Sequence, residues 1–63
     1  MSKFIKIQET LINLNNISFM KWNYDGFKPV FSITMKNGCK LDFIHDPAYN
    51  DCYKIEQEIL NRI

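Results

Sequence analysis

Three side chains in this sequence could bind a soft metal or divide the work of nucleophile and base. They are Cys39, His45 and Cys52, spaced C-x5-H-x6-C. Structural zinc sites take four ligands at short, recognisable spacings, and here a fourth would have to be a carboxylate. This spacing fits no such pattern. A cysteine nucleophile needs a lowered pKa in an electropositive setting, with a base in reach. Cys52 falls in the first turns of a predicted helix, where the helix dipole favours a thiolate slightly. It lies on the apolar stripe of that helix, however, which marks it as core. The bland reading is two buried thiols and one strand-end histidine. Asp42, Asp46 and Asp51 lie near His45 and could suggest acid–base work, but Asp46 is better explained as a cap. The two glycines stand alone in turns, so there is no phosphate-cradling loop. No catalytic residue, metal, cofactor or small-molecule substrate is expected.

A second constellation interleaves basic and aromatic residues. Lys21, Trp22, Tyr24, Phe27 and Lys28 surround an Asp25-Gly26 turn signal. Aromatic side chains on a sheet can stack bases, and flanking lysines can meet phosphates. Lys6, Lys36 and Lys40 could extend that surface. The charge balance limits this reading. Residues 1–45 carry six lysines against three acids, residues 46–63 two basic groups against four acids, and the formal net charge is +1. That polarity permits single-stranded nucleic-acid binding without requiring it.

The elements that must position these residues are organised around Lys28 to His45. Asn37-Gly38 sits between two alternating apolar runs, the pattern of a hairpin with a type I′ turn. Side chains alternate between faces along a strand. One face therefore carries Phe31, Ile33, Met35, Cys39, Leu41 and Phe43, and is assigned to the core. The other carries Val30, Ser32, Thr34, Lys36, Lys40, Asp42 and Ile44. Before the hairpin, residues 3–9 read as a strand with Ile5 and Ile7 on one face and Phe4 and Lys6 on the other. Residues 11–14 read as a short return strand, and Asn13, Asn15 and Asn16 as a turn. Residues 17–24, 29–36 and 39–45 complete a meander. The last segment changes period. Asp46-Pro47 reads as a helix start, with Asn50 or Asp51 as alternatives. Cys52, Ile55, Ile59 and Ile63 then recur at three and four, flanked by Leu60. The helix is expected over residues 47–62 with one apolar stripe.

The chain of 63 residues forms one domain, and a core of this size rarely supplies more than about 3–5 kcal/mol without a staple or a partner. The expected architecture is α+β: a small antiparallel sheet of four or five strands, with the C-terminal helix on one face. The other face would then be bare. Phe4, Val30 and Ile44 fall there by alternation. If Ile17 and Phe19 join the core, Met20, Trp22 and Tyr24 join them outside, giving an apolar patch of the kind that marks interaction sites. A β-bulge in the third strand would instead turn Trp22 inward, and a curled sheet would bury parts of both faces.

The order of elements resembles that of very small bacterial and phage proteins, the flagellar-operon FlbD type among them. The shared features are a strand starting near Phe4, the stretch LINLNNISFMKW, the ITMKNG hairpin and the closing helix. Trp22, Phe27 and the long Lys21–Pro29 connection depart from that pattern. The resemblance implies a cytoplasmic, non-enzymatic module and assigns no functional residue. Abundant Ile and Asn, and seven lysines to one arginine, fit an AT-rich bacterial or phage genome. The opening residues lack the apolar core of a signal peptide, and no apolar run is long enough to span a bilayer. The expected protein is thus cytoplasmic: a homodimer, a modulator of a host protein, or both.

Overall fold

A computed structural model describes residues 3–62. The architecture is α+β, with five antiparallel strands and a C-terminal helix: β1 (Phe4–Ile7), β2 (Thr10–Asn13), β3 (Ile17–Asp25), β4 (Lys28–Met35), β5 (Lys40–Ile44) and α1 (Cys52–Arg62). The strands divide into two sheets, β1-β2 and β3-β4-β5, where the sequence suggested one. The division follows from a 3-10 turn at Leu14–Asn16. Asn13 caps that turn by accepting the Asn15 N–H at 3.0 Å, and Leu14 is buried within it. Asn residues favour such local side-chain bonds over a continuing ladder.

Both sheets and the helix build one core. Ile5, Ile7, Ile12 and Leu14 come from the first hairpin and its exit, Phe31, Ile33 and Phe43 from the larger sheet, and Cys52 and Ile59 from α1. One side of the three-stranded sheet is therefore covered twice, by the helix and by the β1-β2 hairpin. The end of α1 is tied to β1 by Arg62, whose guanidinium donates to the Phe4 carbonyl at 3.0 Å. Ile63, the last member of the expected stripe, lies outside the described residues. Among the described residues no helix is long and apolar enough to cross a membrane.

The turns show how local chemistry sets register. At Lys36–Gly38 the Gly38 N–H returns to the Met35 carbonyl and the Met35 N–H reaches Cys39. Gly38 has φ +94°, while Asn37 is not left-handed. This is a three-residue loop with a left-handed glycine, in place of the expected type I′ turn. It leaves Cys39 exposed at the end of the sheet, so only Cys52 of the two thiols is buried. Between β3 and β4, Asp25 pairs with Lys28 around Gly26-Phe27, with Gly26 at φ +63°, the place where a type II′ turn wants glycine. The first hairpin is less comfortable. Ile7 pairs with Thr10, so Gln8 and Glu9 form the whole turn, at φ 47° and 66°. Neither residue favours the left-handed region. Gln8→Asn combined with Glu9→Gly is expected to raise the unfolding free energy by about 1 kcal/mol in urea titrations. The exposed Lys6–Glu9 ion pair lost in that variant contributes little.

The helix begins at the later of the candidate positions. Asp51 caps it, accepting the Lys54 N–H at 3.2 Å, while its carbonyl receives Ile55. Asp46-Pro47 opens a closed turn instead. Asp46 and Asn50 exchange both backbone bonds, and the Asp46 carboxylate accepts the Ala48 N–H at 2.9 Å. Pro47 suits the second position of such a turn as well as it suits the first turn of a helix.

One irregularity decides which residues face out. β3 runs in register with β4 from Phe19 onward, but a bulge separates Ile17 from Phe19. An extra residue there inverts the alternation of everything after it. Met20 stands opposite Ile33 and Trp22 opposite Phe31, on the core side, while Phe19 points away. The apolar patch of Phe4, Met20, Trp22, Tyr24, Val30 and Ile44 expected from strict alternation does not form. Met20 and Trp22 pack against the core, Val30 is half-buried, and Phe4 lies exposed on the smaller sheet.

Candidate functional site

Trp22 is the centre of an aromatic cluster that no single element could assemble. Its ring lies 5.0 Å from Phe31 across the β3-β4 ladder and stacks on Tyr53, in the first turn of α1, at 4.5 Å and 18°. Its indole N–H donates to the Glu56 carboxylate at 2.8 Å. His45, just past β5, meets Tyr53 edge-on at 4.7 Å. The His45 Nδ1 accepts the Cys52 backbone N–H at 3.1 Å. It thereby satisfies one of the open donors at the start of the helix. An accepting Nδ1 places the neutral ring's proton on Nε2. The Asp51 carboxylate approaches the same nitrogen at 3.8 Å.

This geometry separates the chemistry-bearing residues that the sequence placed near one another. Cys39 and His45 occupy opposite ends of β5, roughly 20 Å apart at about 3.3 Å per residue. Cys52 is fully buried, with its thiol donating to the Phe43 carbonyl at 3.7 Å. Burial, and secondarily the Asp51 carboxylate, push its pKa up, away from the thiolate that a nucleophile or ligand requires. Among the described residues no three His, Cys, Asp or Glu side chains gather as a metal set.

The thiol gives two measurable consequences. A folded-state pKa raised above the ordinary value of 9.0 stabilises the protein below that pH, and the contribution is lost as pH rises past it. Stability should therefore fall above about pH 9 in the native chain and fall less in Cys52→Ala. Under native conditions a thiol reagent should label Cys39 quickly and Cys52 only on unfolding. Rapid labelling of both would contradict the burial.

Four exposed aromatics, Tyr24, Phe27, Tyr49 and Tyr53, gather at the end of the sheet marked by this cluster, while Phe4 and Phe19 lie elsewhere. β5 pairs with β4 only as far as Ile44 opposite Val30, and the His45 N–H then reaches the Pro29 carbonyl at 2.9 Å. The β3-β4 turn therefore overhangs β5. The Asp46–Asn50 turn and the start of α1 lie at the same end. Tyr24 is 73% exposed, Tyr49 90%, and Phe27, on the overhanging turn, is fully exposed. Tyr53 shows half its surface there, one face resting on Trp22.

Of the residues named from sequence for contact with a partner or a nucleic acid, this end keeps Tyr24 and Phe27, with Ile44 exposed on the reverse side of the sheet. Lys21 and Lys28 are exposed, with the bulge placing Lys21 on the side away from the helix. Trp22 is withdrawn into the cluster. Tyr49, Tyr53 and Glu56 were not legible as site residues. The available signal was the spacing of Tyr49 and Tyr53 about the helix start, which has meaning only once Asp51 is known to be the cap. No protein-family model matches this chain, and neither does any curated protein or solved structure.

Proposed function

We propose that this chain is a non-enzymatic protein-contact module of the cytoplasm, and that its contact surface is the aromatic end formed by Tyr24, Phe27, Tyr49 and Tyr53. The observation that carries the reading is Phe27. A two-residue turn with glycine first accepts almost any small polar residue second. A fully exposed phenylalanine at that position packs on nothing in its own chain. Tyrosine and tryptophan dominate the energetics of protein interfaces, and a rigid platform limits the entropy lost on binding. Here Trp22, itself packed on Phe31, holds Tyr53 from beneath, so the platform is prepared in advance.

A second copy of the chain is the first partner this reading predicts. Among the described residues nine apolar side chains are buried and nine large ones are exposed. That balance suits a small domain that completes its apolar burial by self-association. A host protein engaged through the same end would serve a regulatory role, in keeping with the resemblance to small bacterial and phage modules. Sedimentation velocity over a hundredfold concentration range tests the proposal. A concentration-dependent dimer supports it, and a monomer at every concentration removes the self-association.

A further inference from the structure

We propose that the open side of the three-stranded sheet is a second site, one that takes single-stranded nucleic acid: Phe19 stacks a base, and Lys21 and Lys40 meet phosphates. The β3 bulge creates this surface. By inverting the alternation it sends Phe19 and Lys21 to the side that neither α1 nor the β1-β2 hairpin covers. There they line a shallow concavity of about 250 Å³ together with Asn23, Ser32, Thr34 and Lys40.

The floor of the concavity is fixed and polar. The Ser32 hydroxyl donates to the Asp42 carboxylate at 2.6 Å and accepts the Asn23 amide at 3.3 Å, linking all three strands. The Asp42 carboxylate is held by a neutral hydroxyl rather than a cation, in the row of Lys21, and Asp25, farther along at the tip, faces Lys28 in the backbone register. Lys21 and Lys40 supply the positive charge of this side. Among the described residues the ion pairs are Lys6–Glu9, Glu58–Arg62 and the His45–Asp51 approach, and neither of these two lysines takes part. They stand on the two edge strands, two inter-strand spacings across and two residues along, about 12 Å apart between their backbones. Phe19, 55% exposed, lies in the same row as Lys40.

A planar apolar surface flanked by two free cations, one two residues along its own strand and one across the sheet in its own row, complements a chain of stacked bases joined by phosphates. One aromatic ring and two cations predict weak binding with little sequence preference. The site shares no residue with the aromatic end, so each proposal can fail without the other.

The test is fluorescence anisotropy of a labelled oligothymidylate of about ten nucleotides, a length within single-domain site sizes, titrated with the full chain. Two phosphate contacts predict binding about 25-fold weaker on a tenfold rise in salt. Phe19→Ala should weaken binding about tenfold, with circular dichroism and Trp22 emission unchanged, since Phe19 is not part of the core. Lys21→Gln with Lys40→Gln should flatten the salt dependence. Phe27→Ser should change nothing. Absence of binding at the lowest salt overturns the proposal, as does binding that survives Phe19→Ala. Equal competition by thymidine monophosphate would make this a free-nucleotide site and also overturn it. Binding that perturbs Trp22 emission would move the contact to the other side of the sheet, which overturns the proposal too.

Discussion

Trp22→Ala should destabilise the protein by about 3 kcal/mol, at the lower end of the range for truncating a large aromatic core residue because the indole is only half-buried. The substitution removes the ring held between Phe31 and Tyr53 and the donor to Glu56. A core of this size supplies about 3–5 kcal/mol in total. A large fraction of the variant should therefore be unfolded at 25 °C, seen as lost helical signal in circular dichroism and a collapsed urea midpoint. Trp22→Phe keeps a ring in the stack and loses mainly the hydrogen bond, so its cost should be nearer 1 kcal/mol. The size of the gap between the two variants separates packing from hydrogen bonding. An unchanged midpoint for Trp22→Ala would place the indole outside, restoring the face that strict alternation assigns to it.

Phe27→Ser is expected to do the opposite: stability unchanged, association lost. The side chain is fully exposed and the turn geometry is set by Gly26, so the folded chain loses no packing. If Phe27 is a hot spot, its truncation costs 2 kcal/mol or more of binding, on the order of thirtyfold in the dimer dissociation constant. Tyr49→Ser, on the neighbouring turn, should weaken association by about tenfold. Sedimentation of each variant against the native chain gives both numbers, and thermal melts at a concentration where the native chain is monomeric check the unchanged fold. A variant that melts earlier as a monomer would show that Phe27 supports the hairpin itself.

Periodicity made some of this molecule legible. Ile5 and Ile7 are buried and Phe4 and Lys6 exposed, as period two requires; Cys52 and Ile59 are buried on α1, as period 3.6 requires. Asn37-Gly38 marked a hairpin because the glycine must be left-handed, although the loop is one residue longer than the shortest form. What stayed hidden has a common cause: one-residue choices that propensity leaves balanced. In ISFMKWNY both alternations carry an aromatic residue, and the bulge that selects between them has no composition of its own. Gln8-Glu9 carries no turn signal; the pairing of Ile5 with Ile12 forces the chain to reverse there. Asp46-Pro47 begins turns and helices equally well, and the burial of Asn50 and Cys52 selects the turn. The candidate site suffered most, because every residue after the bulge changed sides, and Tyr49 and Tyr53 joined it only through the position of the helix start.

The most direct test of the aromatic end as a contact surface is sedimentation equilibrium of the native chain beside Phe27→Ser/Tyr49→Ser. The native chain should pass from monomer to dimer as concentration rises, and the double variant should remain monomeric throughout while melting at the temperature of the native monomer. Equal dissociation constants for the two proteins would place the contact elsewhere and contradict the account.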